Sequence, residues 1–294
     1  MDSKLIVNAL TIDVEDYFQV NAFAGVVKRE AWASYPLRVA ANTCRILDIL
    51  DEFAVKATFF VLGWVAERVS GLVAEIRRRG HEIASHGYGH ELIYQIGPKR
   101  FREDVRRSKA ILEDQAGEGL KGYRAPSYSI TRESLWALDI LVEEGFTYDS
   151  SIFPIIHDTY GVPDAQRFPH TITTATGSIR EFPLTTLPFR GMGREIRLPI
   201  AGGGYLRLLP AQLIRRGIGT INEKERQPAV LYLHPWEIDP DQPRISAGLK
   251  SRFRHYLNLH RTEAKLRHLL GTIPFAPMGE VLQGMSSWAL HTRA

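Results

Sequence analysis

His86 and His90 stand four residues apart in the run His81-Glu82-Ile83-Ala84-Ser85-His86-Gly87-Tyr88-Gly89-His90. Two imidazoles at that spacing, one helical turn apart, can grip one metal ion from the same side. The competing reading is a solvated helix face, but Gly87 and Gly89 would each cost an exposed helix about 1 kcal/mol relative to alanine, so a tight turn or first helical turn fits better. Gly80 to Ser85 reads as a turn into a short strand, which sets His86 at a strand's C-terminal end, where α/β barrels keep their chemistry. A two-histidine site with an open position needs an anionic third ligand. Leu5 to Ile12 is an apolar run that reads as a buried first strand, and it ends in Asp13-Val14-Glu15-Asp16, three acids in four positions. A solvated acidic turn is the alternative, yet carboxylates crowded at a strand end repel one another unless a cation or an arginine offsets them. The strand period of two turns Asp13 and Glu15 to one side and leaves Asp16 on the turn. Glu15 is favoured slightly over Asp16 as ligand, and both stay candidates.

Two further segments could face that cluster. In Gly122-Tyr123-Arg124-Ala125-Pro126-Ser127, Pro126 holds Ala125 extended and so helps fix where Arg124 points. In Val230-Leu231-Tyr232-Leu233-His234-Pro235-Trp236, an apolar strand delivers one histidine at its C-terminal end, followed by a rigid turn and a large aromatic.

In this chain order the four elements resemble the polysaccharide deacetylase family, also called the NodB homology domain or carbohydrate esterase family four, over roughly residues 5–240. Thr11-Ile12-Asp13 is similar to the family's Thr-Phe-Asp-Asp motif, which makes Asp13 the catalytic base. Val14 stands where the second aspartate, a metal ligand, is usual, so that role passes to Glu15 or Asp16. His86-Gly87-Tyr88-Gly89-His90 keeps both ligand histidines of the His-Ser/Thr-x-x-His motif, with Gly87 in the hydroxyl position. Arg124-Ala125-Pro126-Ser127 resembles Arg-x-Pro-Tyr/Phe, which implies that Arg124 orients Asp13 and that the Ser127 N–H donates to an oxyanion. Asp149-Ser150-Ser151-Ile152-Phe153 matches the fourth motif weakly, with Phe153 where tryptophan is common. Leu233-His234 fits the fifth motif, with His234 as general acid and Asp149 as its orienting partner. Phe153 and Trp236 are expected to contact substrate. The Asp13–Phe18 opening, the Gly202-Gly203-Gly204-Tyr205 loop and the His234-Pro235-Trp236-Glu237 ending look most like a subgroup associated with bacterial exopolysaccharide loci.

The resemblance implies a distorted (β/α) barrel, seven-stranded, that uses a divalent metal to remove N-acetyl groups from an amino-sugar polysaccharide or its lipid-linked precursor. Zinc is the expected ion, with cobalt and nickel as alternatives. A hydrolase of a small amide or cyclic imide is the competing enzyme, and a catalytically silent glycan-binding module is the competing class. The departures at Val14, Gly87 and Ser127 are the only support for that module.

Composition agrees without selecting a function. The 294 residues are 44% hydrophobic and 24% charged, ordinary for a soluble globular protein, and the net charge of +4 arises from 37 basic and 33 acidic residues. No nucleic-acid role follows without a concentrated basic patch. The nearest candidate is Lys250, Arg252, Arg254, Arg261, Lys265 and Arg267 on one expected helix, either a solvated face or a surface for an anionic glycan or the inner membrane. Cys44 is the single cysteine, which excludes an internal disulfide and permits a reducing compartment. Met1 to Leu10 lacks the basic start and apolar centre of a signal peptide, so cytoplasmic placement is the default. Nothing here speaks to oligomeric state.

The remaining pattern alternates strands and helices. Val39, Thr43, Ile46, Leu50 and Phe53 mark a helix before a strand at Lys56 to Leu62, and Val65, Val69, Leu72, Val73 and Ile76 mark the next helix before His81. Helices over Pro98–Gln115 and Thr131–Gly145 bracket the Arg124 strand. Between Ser151 and Pro210, short strands at Ser178–Phe182 and Arg194–Leu198 among many Gly and Pro read as a small β insertion, either shaping a groove or forming a peripheral hairpin. Leu213–Ile221 is expected to be helical. The barrel is expected over 1–240, with 241–294 as a helical extension packed on it.

Overall fold

Strands buried on both faces need continuous apolar runs, and this chain supplies them at the centre of its sheet. In this computed structural model, which describes residues 5–191 and 194–291, every residue of β1 (Asn8–Val14) and of β2 (Thr58–Val61) is buried. Met1–Lys4 and the last three residues of the 241–294 extension lie outside the described residues. β3 (Glu82–Ser85), β4 (Gly122–Tyr123) and β5 (Tyr148–Asp149) continue the sheet, followed by β6 (His170–Thr173), β7 (Ser178–Glu181), the separate hairpin β8 (Thr186–Gly191) and β9 (Arg194–Pro199), then β10 (Val230–Leu233) and β11 (Phe275–Ala276).

The spatial order is β10-β1-β2-β3-β4-β5-β7-β6, and all strands from β10 to β7 run parallel; with β6 the path holds eight strands, and with β11 on β1 the sheet has nine, where seven were expected. Only β6 is antiparallel in this path. The sheet curls without closing. Between β7 and β10 the gap is bridged by irregular chain, with the Thr185 hydroxyl taking the Val230 N–H at 2.6 Å and the Tyr232 N–H reaching the Ala201 carbonyl at 3.1 Å. Gly202 lies so close to Tyr232 that a Cβ there would meet the ring at 2.0 Å, which explains one glycine of the Gly202–Gly204 run.

Helices cover the outside: α1 (Val39–Glu52), α2 (Gly63–Arg68), α3 (Leu72–Arg78), α4 (Ile93–Ala116), α5 (Trp136–Glu143), α6 (Gly203–Leu208), α7 (Ala211–Thr220), α8 (Leu249–Tyr256), α9 (Leu259–Leu270) and α10 (Met278–His291). The helix expected across Val65–Ile76 is broken in two at Gly71, whose φ of 82° ends the regular winding. The single basic helix expected beyond Lys250 is also two, because the chain leaves α8 extended at Leu257 and turns through Asn258 at φ 54°. The segment after 240 is not purely helical, since Phe275 and Ala276 pair with Asn8 and Ala9 of β1. No helix among the described residues is long and apolar enough to cross a membrane.

Candidate active site

The C-terminal ends of β1, β3, β4 and β10 converge. β1 stops at Val14, whose side chain is fully buried in the core, and the Glu15 N–H turns back to the Asp13 carbonyl at 3.1 Å. This places both carboxylates on one side, within 3.9 Å (Asp13 Oδ2) and 3.6 Å (Glu15 Oε1) of His234 Nε2. Asp16 goes elsewhere. Its Oδ2 accepts the N–H groups of Arg38 (2.8 Å) and Val39 (3.0 Å) at the start of α1, and its Oδ1 accepts the Tyr17 N–H at 2.9 Å. Asp16 therefore serves as a helix cap, not as a member of the cluster.

After β3 the two histidines lie on a turn and not on a helix, with Gly87 at φ 72° and His90 at φ 50°. Asp104 of α4 holds that turn by accepting the N–H groups of Tyr88 at 2.8 Å and Gly89 at 3.0 Å. A Cβ on Gly87 would meet Asp104 Oδ1 at 2.8 Å, so the glycine in the family's hydroxyl position has a steric and a conformational reason. Glu15, His86 and His90 form a buried group whose ligand atoms all lie within 4.8 Å of one another.

The donor chemistry of this trio suits a cation. His86 Nδ1 lies 2.7 Å from the Arg124 carbonyl, which as an N–H donor leaves Nε2 as a lone-pair donor. Burial lowers the His86 imidazole to about 4, against the pull of Asp13, so it is neutral. Burial works to raise Glu15, but His90 and His234 outweigh it and hold the carboxyl at about 2. Glu15 Oε2 is buried 2.7 Å from His90 Nε2, yet it accepts no hydrogen bond. A charged oxygen without a donor, between two imidazole nitrogens, is the arrangement a divalent ion satisfies.

On the opposite side Arg124 is fully buried. Its Nη1 donates to Asp13 Oδ1 at 2.6 Å and Thr11 Oγ1 at 2.8 Å, while Nε and Nη2 donate to the carbonyl and hydroxyl of Ser150. Ser127 and the following Tyr128 both have positive φ, 52° and 54°, a strained turn of the kind found beside reacting groups. The Tyr128 hydroxyl donates to Asp13 Oδ2 at 3.4 Å.

Asp149 is not the partner of His234. Asp149 accepts from the Ser151 hydroxyl at 2.6 Å, and that hydroxyl accepts the Ala125 N–H at 2.8 Å, so the carboxylate supports the Arg124–Ser127 loop. Its cross-strand neighbour is Glu181, with which it forms a buried carboxyl pair. The position expected for Asp149 is taken by Glu237, whose Oε2 lies 3.0 Å from His234 Nδ1 and also accepts the His234 backbone N–H at 2.9 Å. Arg207 Nε donates to the other oxygen, Oε1, at 2.6 Å. Burial raises Glu237, but Arg207 and then His234 bring it to about 2. Burial likewise depresses His234, and Glu15, Glu237 and Asp13 more than reverse this, raising it to about 9.

Phe153 and Trp236 do not line a groove. Phe153 is 1% exposed beneath Tyr160, the two rings stacked at 5.8 Å. Trp236 is sandwiched between His234 (5.1 Å) and His255 (4.1 Å), and its indole N–H donates to Glu15 Oε1 at 3.2 Å. Glu237, Arg207, Asp104 and Tyr128 had no role in the sequence analysis. Only the His-Pro-Trp-Glu spacing, an acid three residues past a strand-end histidine, carried a local hint of Glu237.

Residues 32–146 match the polysaccharide deacetylase family, a span that holds His86, His90 and Arg124. Over that span the chain is similar to polysaccharide deacetylases. Residues 150–283 match a second family described as a domain of unknown function (DUF3473), and that span contains Arg207, His234 and Glu237. The chain is 36% identical over 98 residues to a peptidoglycan-N-acetylglucosamine deacetylase of Bacillus cereus, covering 33% of this chain and 36% of that protein. It is 31% identical over 111 residues to a peptidoglycan deacetylase of Helicobacter pylori, covering 37% of this chain and 36% of that one. The match thus spans little more than a third of the length of these relatives. A crystal structure described as a "putative polysaccharide deacetylase" from Mycobacterium smegmatis superposes with a TM-score of 0.64 at 24% identity, covering 98% of this chain and 92% of that one, which shows a shared fold.

Proposed function

We propose that this chain is a metal-dependent hydrolase that removes N-acetyl groups from an amino-sugar glycan. The observation that carries the reading is the convergence of a three-donor metal cluster, an arginine-held carboxylate and a carboxylate-held histidine on one cleft. The named relatives that act on peptidoglycan N-acetylglucosamine supply the substrate class.

Glu15, His86 and His90 would hold the ion, and two nitrogens with one carboxylate suit zinc, with cobalt and nickel as alternatives. Such an ion, when bound, acidifies water and polarises a carbonyl oxygen. Asp13 takes the proton of the attacking water. Arg124 fixes Oδ1 of that base, and Oδ2 is the oxygen nearer His234. As the acetamide carbon becomes tetrahedral, the Ser127 backbone N–H donates to the developing oxyanion, charge that is absent from the ground state. His234 Nε2 then gives a proton to the departing amine, because an amide anion is a very poor leaving group. Glu237 anchors the Nδ1 side of the same ring, so Nε2 points at the carboxylates. The products are acetate and a free amino sugar. We assign the substrate to an exopolysaccharide or its lipid-linked precursor, with contact at a membrane surface on that account.

Acetate release by the metal-reconstituted chain from N-acetylglucosamine oligomers, N-acetylated lipid-linked sugars and cyclic imides tests the reading. Release from the first two, lost on chelation, is expected. Turnover of the imides alone, or none by a chain with stoichiometric metal, would overturn it.

A further inference from the structure

α8 is badly made for a helix whose only task is to cover a core. Of its eight residues only His255 is buried, while Leu249 is 83% and Phe253 66% exposed. Being four apart, these two large apolar side chains share one face. Lys250 and Arg254 form the adjoining stripe and Arg252 is also exposed. Among the described residues none of these three cations makes an ion pair of the kind that joins Arg45 to Glu263 and Arg77 to Glu118. Two of the other basic residues grouped with them are already used, and Arg261 donates to His260 at 3.2 Å. Lys265 donates to the carbonyls of Leu206, Arg207 and Leu209, and Arg267 pairs with Glu52 and Glu263.

A second segment lies within electrostatic reach of this face. Ile156 is 89% exposed, and its neighbour His157 lies in the field of Arg254 and Lys250, which together with burial lower its imidazole against the upward pull of Asp158. Three solvated apolar side chains and three unpaired cations, with Asp158 the acid that acts on His157, present an apolar and positively charged surface. The charge complements an anionic partner, and the apolar side chains need a hydrocarbon phase that a soluble polyanion does not offer.

We propose that α8, together with Ile156, docks this protein on an anionic lipid bilayer at the rim of its cleft. The placement suits a lipid-linked amino sugar, and to that extent the proposal deepens the functional reading above. α8 packs on the Asn21–Phe23 turn, and Asn21 lines a cavity of about 240 Å³ that also borders His90. Its last turn is tied to the acid histidine as well. Arg207 Nη1 donates to the carbonyls of Arg254 and His255, both at 2.7 Å, while Arg207 Nε holds Glu237. The docking helix and the His234 turn thus share one buried arginine.

Co-sedimentation of the full chain with lipid vesicles tests this without requiring turnover, so its failure and a failure of acetate release are separate results. The protein should pellet with phosphatidylcholine vesicles containing phosphatidylglycerol, progressively less as salt rises, and stay in solution with phosphatidylcholine alone. Leu249→Ser with Phe253→Ser should weaken that binding about 10-fold or more, and Lys250→Gln with Arg254→Gln should weaken it comparably and flatten its salt dependence. Circular dichroism checks that both double variants stay folded. Equal pelleting with the neutral vesicles, wild-type binding by either variant, or tight binding to a soluble anionic polysaccharide that the serine variant retains, would overturn it.

Discussion

The His86–His90 turn and the His234–Glu237 turn each follow a buried parallel strand, and each delivers imidazole to the same cleft, yet they are held in opposite ways. His86 faces a neutral carbonyl on its Nδ1 side, in a buried pocket that brings it down to about 4. His234 faces a carboxylate on its Nδ1 side and has two more across Nε2, which outweigh its burial and raise it to about 9. The carboxylates around His234, set against the burial and neutral carbonyl at His86, thus separate a proton donor from a lone-pair donor on the same chain, a divergence expected where two like groups divide the work.

The contrast can be broken most severely at its ligand side. His86→Ala or His90→Ala should remove both the bound metal and acetate release while the protein stays folded, checked by metal analysis alongside the assay; turnover retained by either would refute the trio. Next in size, Glu237→Ala should lower kcat by about 10²- to 10⁴-fold with metal content kept, as for loss of a positioned general acid. Asp149→Asn, by contrast, should spare most of kcat, and a larger loss there than at Glu237 would reinstate Asp149 as the partner. Arg124→Met should cost about 3–5 kcal/mol in denaturant unfolding, because it strands Asp13 in a buried site without its counter-charge.

A gentler probe uses the Asp149–Glu181 pair. Burial and then Asp149 raise Glu181 well above the ordinary glutamate value of 4.5, so the folded state binds more protons than the unfolded one above that pH. The associated stability is present below 4.5 and is lost as pH rises through the folded value. Glu181→Gln should flatten that decline in unfolding free energy measured from acid to neutral pH; an unchanged slope would contradict the shared proton. Smallest of all, Trp236→Phe keeps the stack but drops the indole donor to Glu15, and should weaken metal affinity about 10-fold, read by chelator competition.

The two turns also differed in how legible they were. His86, His90, Arg124 and Asp13 could be picked out because each sits beside a strand end marked by an apolar run, glycine or proline, signals that act over a few residues. The slight preference for Glu15 over Asp16 followed from the strand period, and the buried Val14 between Asp13 and Glu15 shows why those two acids share a side. The Asp149 assignment failed because it borrowed a partner from the resemblance. Here a closer carboxylate, three residues from His234 and neutralised by Arg207 from α6, takes the position. Phe153 and Trp236 are expected from the resemblance to contact substrate, but the Tyr160 stack and the His255 stack cover them.

The sequence by itself determined the alternation of strands and helices and which residue types stand at several strand ends, since hydrophobic period and turn chemistry are local properties written in neighbouring positions, while the barrel-like arrangement came from the family resemblance. Only the tertiary structure decided that Asp16 caps α1, that Asp149 pairs with Glu181, that Arg207 locks Glu237 and that α8 is left with its apolar face in water. Those outcomes depend on charges and surfaces brought together from distant parts of the chain, where the desolvation of a buried group selects its partner and sequence spacing has no say.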